Sequence, residues 1–189
     1  MVVDGQPVDE TVANAFLQMR EDAAKEGVKI SVSSGFRPAF GPNFTAKTSK
    51  NRTINITTQE SLRRDKSRWV QSQRSKYRSD DDFVMNAPAS AYSPATAAPG
   101  KSNHGNGFAL DLSTGSRVAF SKKLNDKVYV WMVKNSWRYG FVRAVNSEEW
   151  HYEYRPKESP NGPYAKVKPE GSNKNLYYPD LGLDNIKTT

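Results

Sequence analysis

Apolar residues recur at three- and four-residue steps through "VDETVANAFLQMREDAAKE", residues 8–26, where Val12, Phe16, Met19 and Ala23 fall on one side. That spacing predicts an amphipathic helix, and Gly27 supplies its stop. The period then drops to two. In "VKISVSS" Val28, Ile30 and Val32 alternate with polar residues, as a half-buried strand requires, and the strand runs into "SSGFRP", where Gly35 and Pro38 break it and leave Arg37 at its mouth. Residues 39 to about 58 keep no period and read as an excursion, with a small hairpin around "RTINIT". A polar helix is expected over 59–78, a Pro-, Ala-, Ser- and Gly-rich loop up to about 107, and a second strand in "FALDLS". There Phe108, Leu110 and Leu112 share one face, and Ala109, Asp111 and Ser113 the other. A second good helix covers 121–138, with Leu124, Val128, Trp131, Met132 and Asn135 in line and Gly140 ending it. "FVRAV" and "EWHYEYRP" read as the strands of a hairpin. This mixture, without regular strand–helix–strand alternation, predicts a single-domain α+β fold with a mainly antiparallel sheet and flanking helices.

Composition narrows the chemistry. The chain has 189 residues, enough for one domain with a true core. Its mean hydropathy is −0.79, and no apolar run approaches the length of a membrane span. The N-terminal "MVVDGQPVDETV" shows no basic stretch followed by an apolar one, so no signal peptide is expected. With no cysteine, disulfides, thiolate metal sites and a cysteine nucleophile are excluded, and a metal would have to be held by His, Asp or Glu. The formal charge of +8 points to a polyanionic partner without choosing between nucleic acid and an anionic cell wall. Seven basic residues (Arg63, Arg64, Lys66, Arg68, Arg74, Lys76, Arg78) concentrate in the predicted helix 61–78, either as a solvated face or as a docking surface for an anionic polymer.

The chain contains only two histidines. His104 lies in a turn made pliable by Gly105 and Gly107, just before the strand that carries Asp111 on its non-core face. His151 points away from the face shared by Trp150, Tyr152 and Tyr154. If the two strands are neighbours, His104, Asp111 and His151 can converge, and two imidazoles with a carboxylate make a workable catalytic zinc site. The competing reading is a pair of structural histidines and a turn aspartate.

Beyond spacing, "SNHGNGFALD" resembles the S-x-H-x-x-G-x-A-x-D signature of the zinc peptidases that cut peptidoglycan stem peptides, a group that includes VanY-type D-alanyl-D-alanine carboxypeptidases and the L-alanyl-D-glutamate endopeptidases of phage endolysins. "EEWH" is similar to its E-x-W-H element and "SSGFRP" to its S-G-[YF]-R element, in the family's order. The resemblance implies a Hedgehog/D-Ala-D-Ala peptidase-like fold, with His104, Asp111 and His151 as zinc ligands. It implies Glu148 as general base, and Arg37 as the cation that either polarises the scissile carbonyl or anchors a substrate carboxylate. Ideal strand geometry places Glu149, not Glu148, on the face of His151, so Glu148 requires a bend just before Trp150. Ser102, expected to bond either the substrate backbone or the turn of the metal site, and Trp150, expected to pack beneath it, complete the substrate-binding set.

The implied function is a zinc-dependent peptidase acting on peptidoglycan stem peptides, as endopeptidase or carboxypeptidase. The setting it suggests is a phage cell-wall lysin, free or tail-associated, present in the host cytoplasm before release or carried on the virion. Peptidoglycan, anionic wall polymers bound through helix 61–78, and other phage virion proteins are the expected partners. Nucleic acid is disfavoured because no recognisable motif accompanies the basic helix. The alternative is a module of a phage particle that keeps the zinc fold without turnover, since Hedgehog signalling domains resemble the same fold. The zinc peptidase domain is expected over 1–156, with an insertion at about 39–58, followed by an extended tail over 157–189.

Overall fold

A computed structural model describes residues 1–114, 126–145 and 148–157. The expected tail therefore lies outside the described residues except at its first position, as does Leu124 of the second predicted helix. A short ribbon of β1 (Val2–Val3) and β2 (Gln6–Pro7) leads into α1 (Glu10–Lys25). Asp9 caps that helix by accepting from the Thr11 and Val12 amides, and Gly27, at φ +69°, releases the chain from it. The inner face of α1 is the predicted one: Val12, Phe16, Met19 and Ala23 are fully buried.

The central sheet has four antiparallel strands in the order β3 (Ser31–Ser34), β6 (Ala109–Ser113), β8 (His151–Tyr154), β7 (Phe141–Arg143). Val32, Leu110, Leu112, Phe141 and Tyr152 meet α1 and α5 (Lys127–Asn135) in one apolar cluster. Full burial of each large side chain contributes roughly 1.5–3 kcal/mol, so this face holds the sheet in place and leaves the other free for polar side chains. Gly140, at φ +82°, turns the chain out of the helical segment 127–139 into β7, as the sequence suggests. The expected α+β class holds, with helices flanking a mainly antiparallel sheet.

One facing is corrected. Phe108, predicted on the core side with Leu110 and Leu112, is 49% exposed, while Ala109 is fully buried. Phe108 lies just outside β6, directly after Gly107 at φ +80°, and although its carbonyl accepts from the Tyr154 amide it sits at the end of the sheet, beyond the apolar cluster that covers Leu110 and Leu112.

The excursion over 39–58 leaves and re-enters at one place. The Pro38 carbonyl accepts from the Gln59 amide, and the Ala39 carbonyl from the Glu60 amide. Between these points β4 (Phe44–Lys47) and β5 (Thr53–Ile56) form the expected hairpin. Such a closed detour lengthens the chain without disturbing the elements on either side.

The long basic helix is also corrected. Residues 61–78 do not form one element: α2 (Gln59–Ser67) stops, α3 (Gln71–Arg74) adds one turn, and α4 (Asp80–Asn86) follows. The Ser67 hydroxyl donates back to the Arg64 carbonyl, competing with continuation of α2. Nor is there one basic face. Arg63 is fully buried, with its guanidinium 4.4 Å from the centre of the Tyr92 ring and a hydrogen bond to the Ala87 carbonyl. Arg64 pairs with Glu60 and Asp81, Arg74 pairs with Asp80, and Lys66 turns into the cleft described below. Among the described residues no helix is long and apolar enough to cross a membrane.

Candidate metal centre and cleft

The polar face of the sheet carries the predicted triad. β6 pairs β8 with Asp111 directly opposite His151, so their side chains stand together on one face. The neighbouring strand adds Ser34 opposite Asp111, through a register shift between Val32 and Ser34. His104 reaches the same point from its turn, which is closed by hydrogen bonds from the Gly105 amide to Ser102 O and from the Gly107 amide to His104 O. The Arg37 amide also donates to the His104 carbonyl, tying this turn to the end of β3.

One ligand atom from each of His104, Asp111 and His151 lies within 4.8 Å of the other two. His104 Nε2 is 3.3 Å and His151 Nδ1 3.0 Å from Asp111 Oδ1. A tetrahedral site with bonds of about 2.0–2.1 Å has edges of about 3.3 Å, so each histidine nitrogen already stands at about one such edge from Asp111 Oδ1. The tautomers fit as well. His104 Nδ1 is 2.8 Å from the Gly35 carbonyl, which can only accept, so Nδ1 carries the proton and Nε2 presents a lone pair. His151 Nε2 lies 3.2 Å from Glu153 Oε1, which leaves Nδ1 facing the other two donors.

Without a cation among them His151 keeps its proton while the carboxylates beside it stay ionised. Burial alone would push the Asp111 carboxyl up, but the His104 and His151 imidazoles beside it together outweigh that and hold the group below the usual carboxylate range. Burial likewise opposes a charged His151, yet Asp111 and Glu153 on its two sides raise it to about 9. Burial works against ionised Glu153 too, and His151 and Asn103 overcome it to bring Glu153 to about 2.

Glu153 escaped the sequence reading. Its Oε2 accepts from Arg155 Nε at 2.7 Å, while Oε1 faces His151, so it is a buried carboxylate that orients the His151 imidazole. The signal was available: Glu153 stands two residues from His151, on the same strand face. Replacing it by Gln should weaken zinc binding by about 10- to 100-fold without unfolding the chain, as read by competition with a chromogenic chelator. Unchanged zinc affinity would make its contact with His151 incidental.

Gly35 is a second supporting position. A Cβ there would lie 2.1 Å from the Pro7 carbonyl oxygen and 3.1 Å from a Val8 methyl. Gly35→Ala must therefore separate β3 from the N-terminal ribbon and move the carbonyl that fixes His104. The expected cost is about 1–3 kcal/mol of stability together with weaker zinc binding, seen by thermal melting with and without zinc.

The triad forms the floor of an open cleft of about 590 Å3. Arg37, Ser102, Glu148 and Trp150 all line it, and Glu149 is not among its described lining residues. The chain bends at the point the Glu148 reading requires: the His151 amide donates to Glu148 O, so residues 148–151 form a turn rather than extended strand. Trp150 accepts at its carbonyl from the Leu112 amide and is one of the residues lining the cleft. Burial, with help from Asp111, raises the Glu148 carboxyl above its ordinary range, against the pull of His151 and Lys66. That suits a group that must take up and release a proton near neutral pH.

Arg37 is clamped. Its Nη1 donates to Gln59 Oε1 at 2.9 Å, its Nη2 to Ser34 Oγ at 3.1 Å, and Asp111 Oδ2 is 3.6 Å away. Gln59, itself buried, is oriented by donating its Nε2 to the Ala97 carbonyl at 2.6 Å. The sequence reading missed Gln59 and assigned Lys66 only to the basic helix, yet both line the cleft.

Comparison with known proteins agrees with this architecture. Residues 5–157 match the VanY family of D-alanyl-D-alanine carboxypeptidases. The chain belongs to the VanY family. A D-alanyl-D-alanine carboxypeptidase of Enterococcus faecalis (strain ATCC 700802 / V583) is 34% identical over 68 residues, covering 31% of this chain and 24% of that protein. The matched part thus spans about a quarter of that curated relative. Among solved structures, the vancomycin resistance D,D-pentapeptidase VanY of a VanB-type cassette, in complex with Zn(II), superposes with a TM-score of 0.52 at 23% identity, over 82% of this chain and 78% of that one. VanYB in complex with D-alanine-D-alanine gives 0.50 at 22%, over 80% and 74%. The LD-carboxypeptidase LdcB gives 0.51 at 21%, over 80% and 61%. At these identities the likeness establishes a shared VanY-type fold.

Proposed function

We propose that this VanY-family chain is a zinc-dependent peptidase that hydrolyses peptidoglycan stem peptides. The observation that carries the proposal is the convergence of His104, Asp111 and His151 beside Glu148 and Arg37 in one cleft. In this reading the zinc ligands are His104 Nε2, one Asp111 oxygen and His151 Nδ1. A zinc ion held there supplies Lewis acidity, which makes water nucleophilic near neutral pH and polarises a carbonyl. Glu148 accepts the proton released as the water oxygen bonds to the scissile carbonyl carbon. It then returns that proton to the amine nitrogen as the C–N bond breaks. Arg37, held rigid by Gln59 and Ser34, stabilises the negative charge that develops on the carbonyl oxygen. Ser102 and Trp150 line the cleft where the substrate backbone would lie. The domain of this activity is 1–156, with the 39–58 hairpin as an insertion whose Asn55 and Thr57 form part of the cleft wall.

The same cleft chemistry serves a phage lysin, free or tail-associated, and a bacterial wall carboxypeptidase. The relative solved with D-alanine-D-alanine supports a stem-peptide substrate. The test is release of amino groups and free D-alanine from purified peptidoglycan, with and without a chelator. Release that stops on chelation and returns with zinc is expected. Stoichiometric zinc with no release from wall or peptide would favour a non-hydrolytic module instead.

A further inference from the structure

The positive charge of the chain is unevenly compensated. Within 61–78, Arg63 is packed on Tyr92, Arg64 and Arg74 are paired with aspartates, and Arg68 lies 3.8 Å from Asp65. The 39–58 hairpin is different. It carries Lys47, Lys50 and Arg52 and not one Asp or Glu. All three cations are exposed, and among the described residues none has a carboxylate within ion-pair distance. The hairpin is also firmly held. At its root the Thr58 and Ser61 hydroxyls both donate to the Gly41 carbonyl, the Gly41 amide donates to Glu60 Oε2, and Asn43 Oδ1 accepts from the Thr58 amide. At its tip the Thr48 hydroxyl accepts from the Arg52 amide, and the Thr48 amide donates to the Arg52 carbonyl. Charges on such a fixed ribbon need little further ordering when they bind.

The two faces of the hairpin are unlike. Residues directly opposite one another across β4 and β5 lie on one side, so Thr45, Lys47, Thr53 and Asn55 share a polar face, and Phe44, Ala46, Ile54 and Ile56 an apolar one. Ile56 is buried, whereas Asn55 lines the cleft. The polar face therefore continues the cleft wall outward, with Lys47 further along it and Lys50 and Arg52 at the tip. Solvated cations spaced along a ribbon make no closed pocket for a small anion. They attract an extended polymer with repeated negative charges, through a field that salt screens. A polymer engaged in the cleft and leaving on this side passes over them. We propose that hairpin 39–58 is a docking surface for the peptidoglycan network outside the cleft, with Lys47, Lys50 and Arg52 set against the free carboxylates of neighbouring stem peptides. This rests on the peptidase reading above and extends it from the one stem that is cut to the network that carries it.

The test measures co-sedimentation of the zinc-loaded chain with peptidoglycan stripped of its phosphate polymers, and hydrolysis of that material and of a soluble stem pentapeptide. A hairpin variant combining Lys47→Gln, Lys50→Gln and Arg52→Gln is compared with a control combining Arg68→Gln, Lys76→Gln and Arg78→Gln. Those three residues are also exposed, and each variant removes three positive charges from the formal +8. Binding by wild type should weaken as salt rises and when the stem carboxylates are amidated. The hairpin variant should bind roughly tenfold more weakly, the combined effect of three exposed ion pairs, and should hydrolyse the polymer correspondingly slowly. Its hydrolysis of the soluble peptide should be unchanged, and the control should match wild type throughout. Equal weakening in both variants would reduce the effect to net charge and overturn the assignment. Undiminished binding by the hairpin variant, binding that survives amidation, or binding seen only with phosphate polymers left on the wall would overturn it as well. So would an equal loss on the soluble peptide, which would place these residues inside the cleft. If wild type hydrolyses neither substrate, the peptidase reading fails, and sedimentation decides the docking surface separately. Binding that weakens only in the hairpin variant then supports it, and equal or absent binding rejects it.

Discussion

Glu148→Gln is expected to reduce peptide hydrolysis by about 10^2- to 10^4-fold while zinc stays bound at one equivalent. Gln fills the same space and keeps a hydrogen-bonding oxygen, but it cannot carry the proton from water to the leaving amine. The loss should therefore fall on kcat, with KM little changed, because the missing interaction exists only during the reaction. Glu149→Gln is the control. It leaves the cleft with its base, since Glu148 rather than Glu149 lines the described wall. A large loss in Glu149→Gln with near-normal Glu148→Gln would reverse the assignment. The turn closed by the His151 amide and Glu148 O would then not present Glu148 in solution as it does here.

Asp111→Ala is expected to have the second large effect, this time on metal binding. Asp111 Oδ1 stands against both imidazoles, and without it His104 and His151 would face one another as a two-ligand site. In wild type, zinc at about 1,000 times its dissociation constant stabilises the fold by about 4 kcal/mol, which for a domain of this size raises Tm by roughly 8–16 °C. Asp111→Ala should melt at the same temperature with and without zinc and should not hydrolyse peptide. A retained zinc-dependent rise would mean that other residues hold the metal. The pH dependence has a definite sign. In the metal-free chain His151 is raised to about 9, so zinc must displace its proton at lower pH. Apparent zinc affinity should climb as pH rises towards about 9, with one proton released from His151 per ion, measurable by titration in buffers of different ionisation enthalpy. For the metal-free fold the sense is opposite. The His151 pKa is raised above its unfolded value, so its contribution to stability is full below about 6.5 and fades as pH rises through about 9.

The site's composition was legible because the residue types are rare and locally patterned. The chain has two histidines: His104 precedes a strand and His151 opens one, and the alternation in each strand states which way its residues face. Asp111 and His151 could be placed on non-core faces from Leu110, Leu112 and Tyr152 alone, and the antiparallel pairing of β6 with β8 then sets them opposite one another. The choice between Glu148 and Glu149 was not legible in that way. It depends on a turn whose hydrogen bond spans three residues, which strand periodicity cannot express.

Where the sequence reading failed, side-chain fate depended on partners distant in the chain. Seven basic residues between 61 and 78 look like one charged face, but Arg63 is drawn onto Tyr92, Arg64 and Arg74 are neutralised by aspartates at the start of α4, and Lys66 enters the cleft. Long amphipathic side chains can bury their stems or expose them, and local pattern does not distinguish the two. Gln59 looks like an ordinary helix-start residue until the closed detour of 39–58 brings it beside Arg37.

The sequence by itself determined the helix and strand periods, the α+β class, the likeness to zinc peptidases, and a candidate ligand set made almost unavoidable by the absence of cysteine and the scarcity of histidine. These are local or compositional properties, and each can be read within a window of a few residues. Tertiary structure alone decided which cations remain uncompensated, which carboxylate orients His151, and which glutamate faces the cleft. Those outcomes depend on distances between side chains that are remote in sequence. Only the packed sheet, with its apolar face against α1 and α5 and its polar face open, sets those distances.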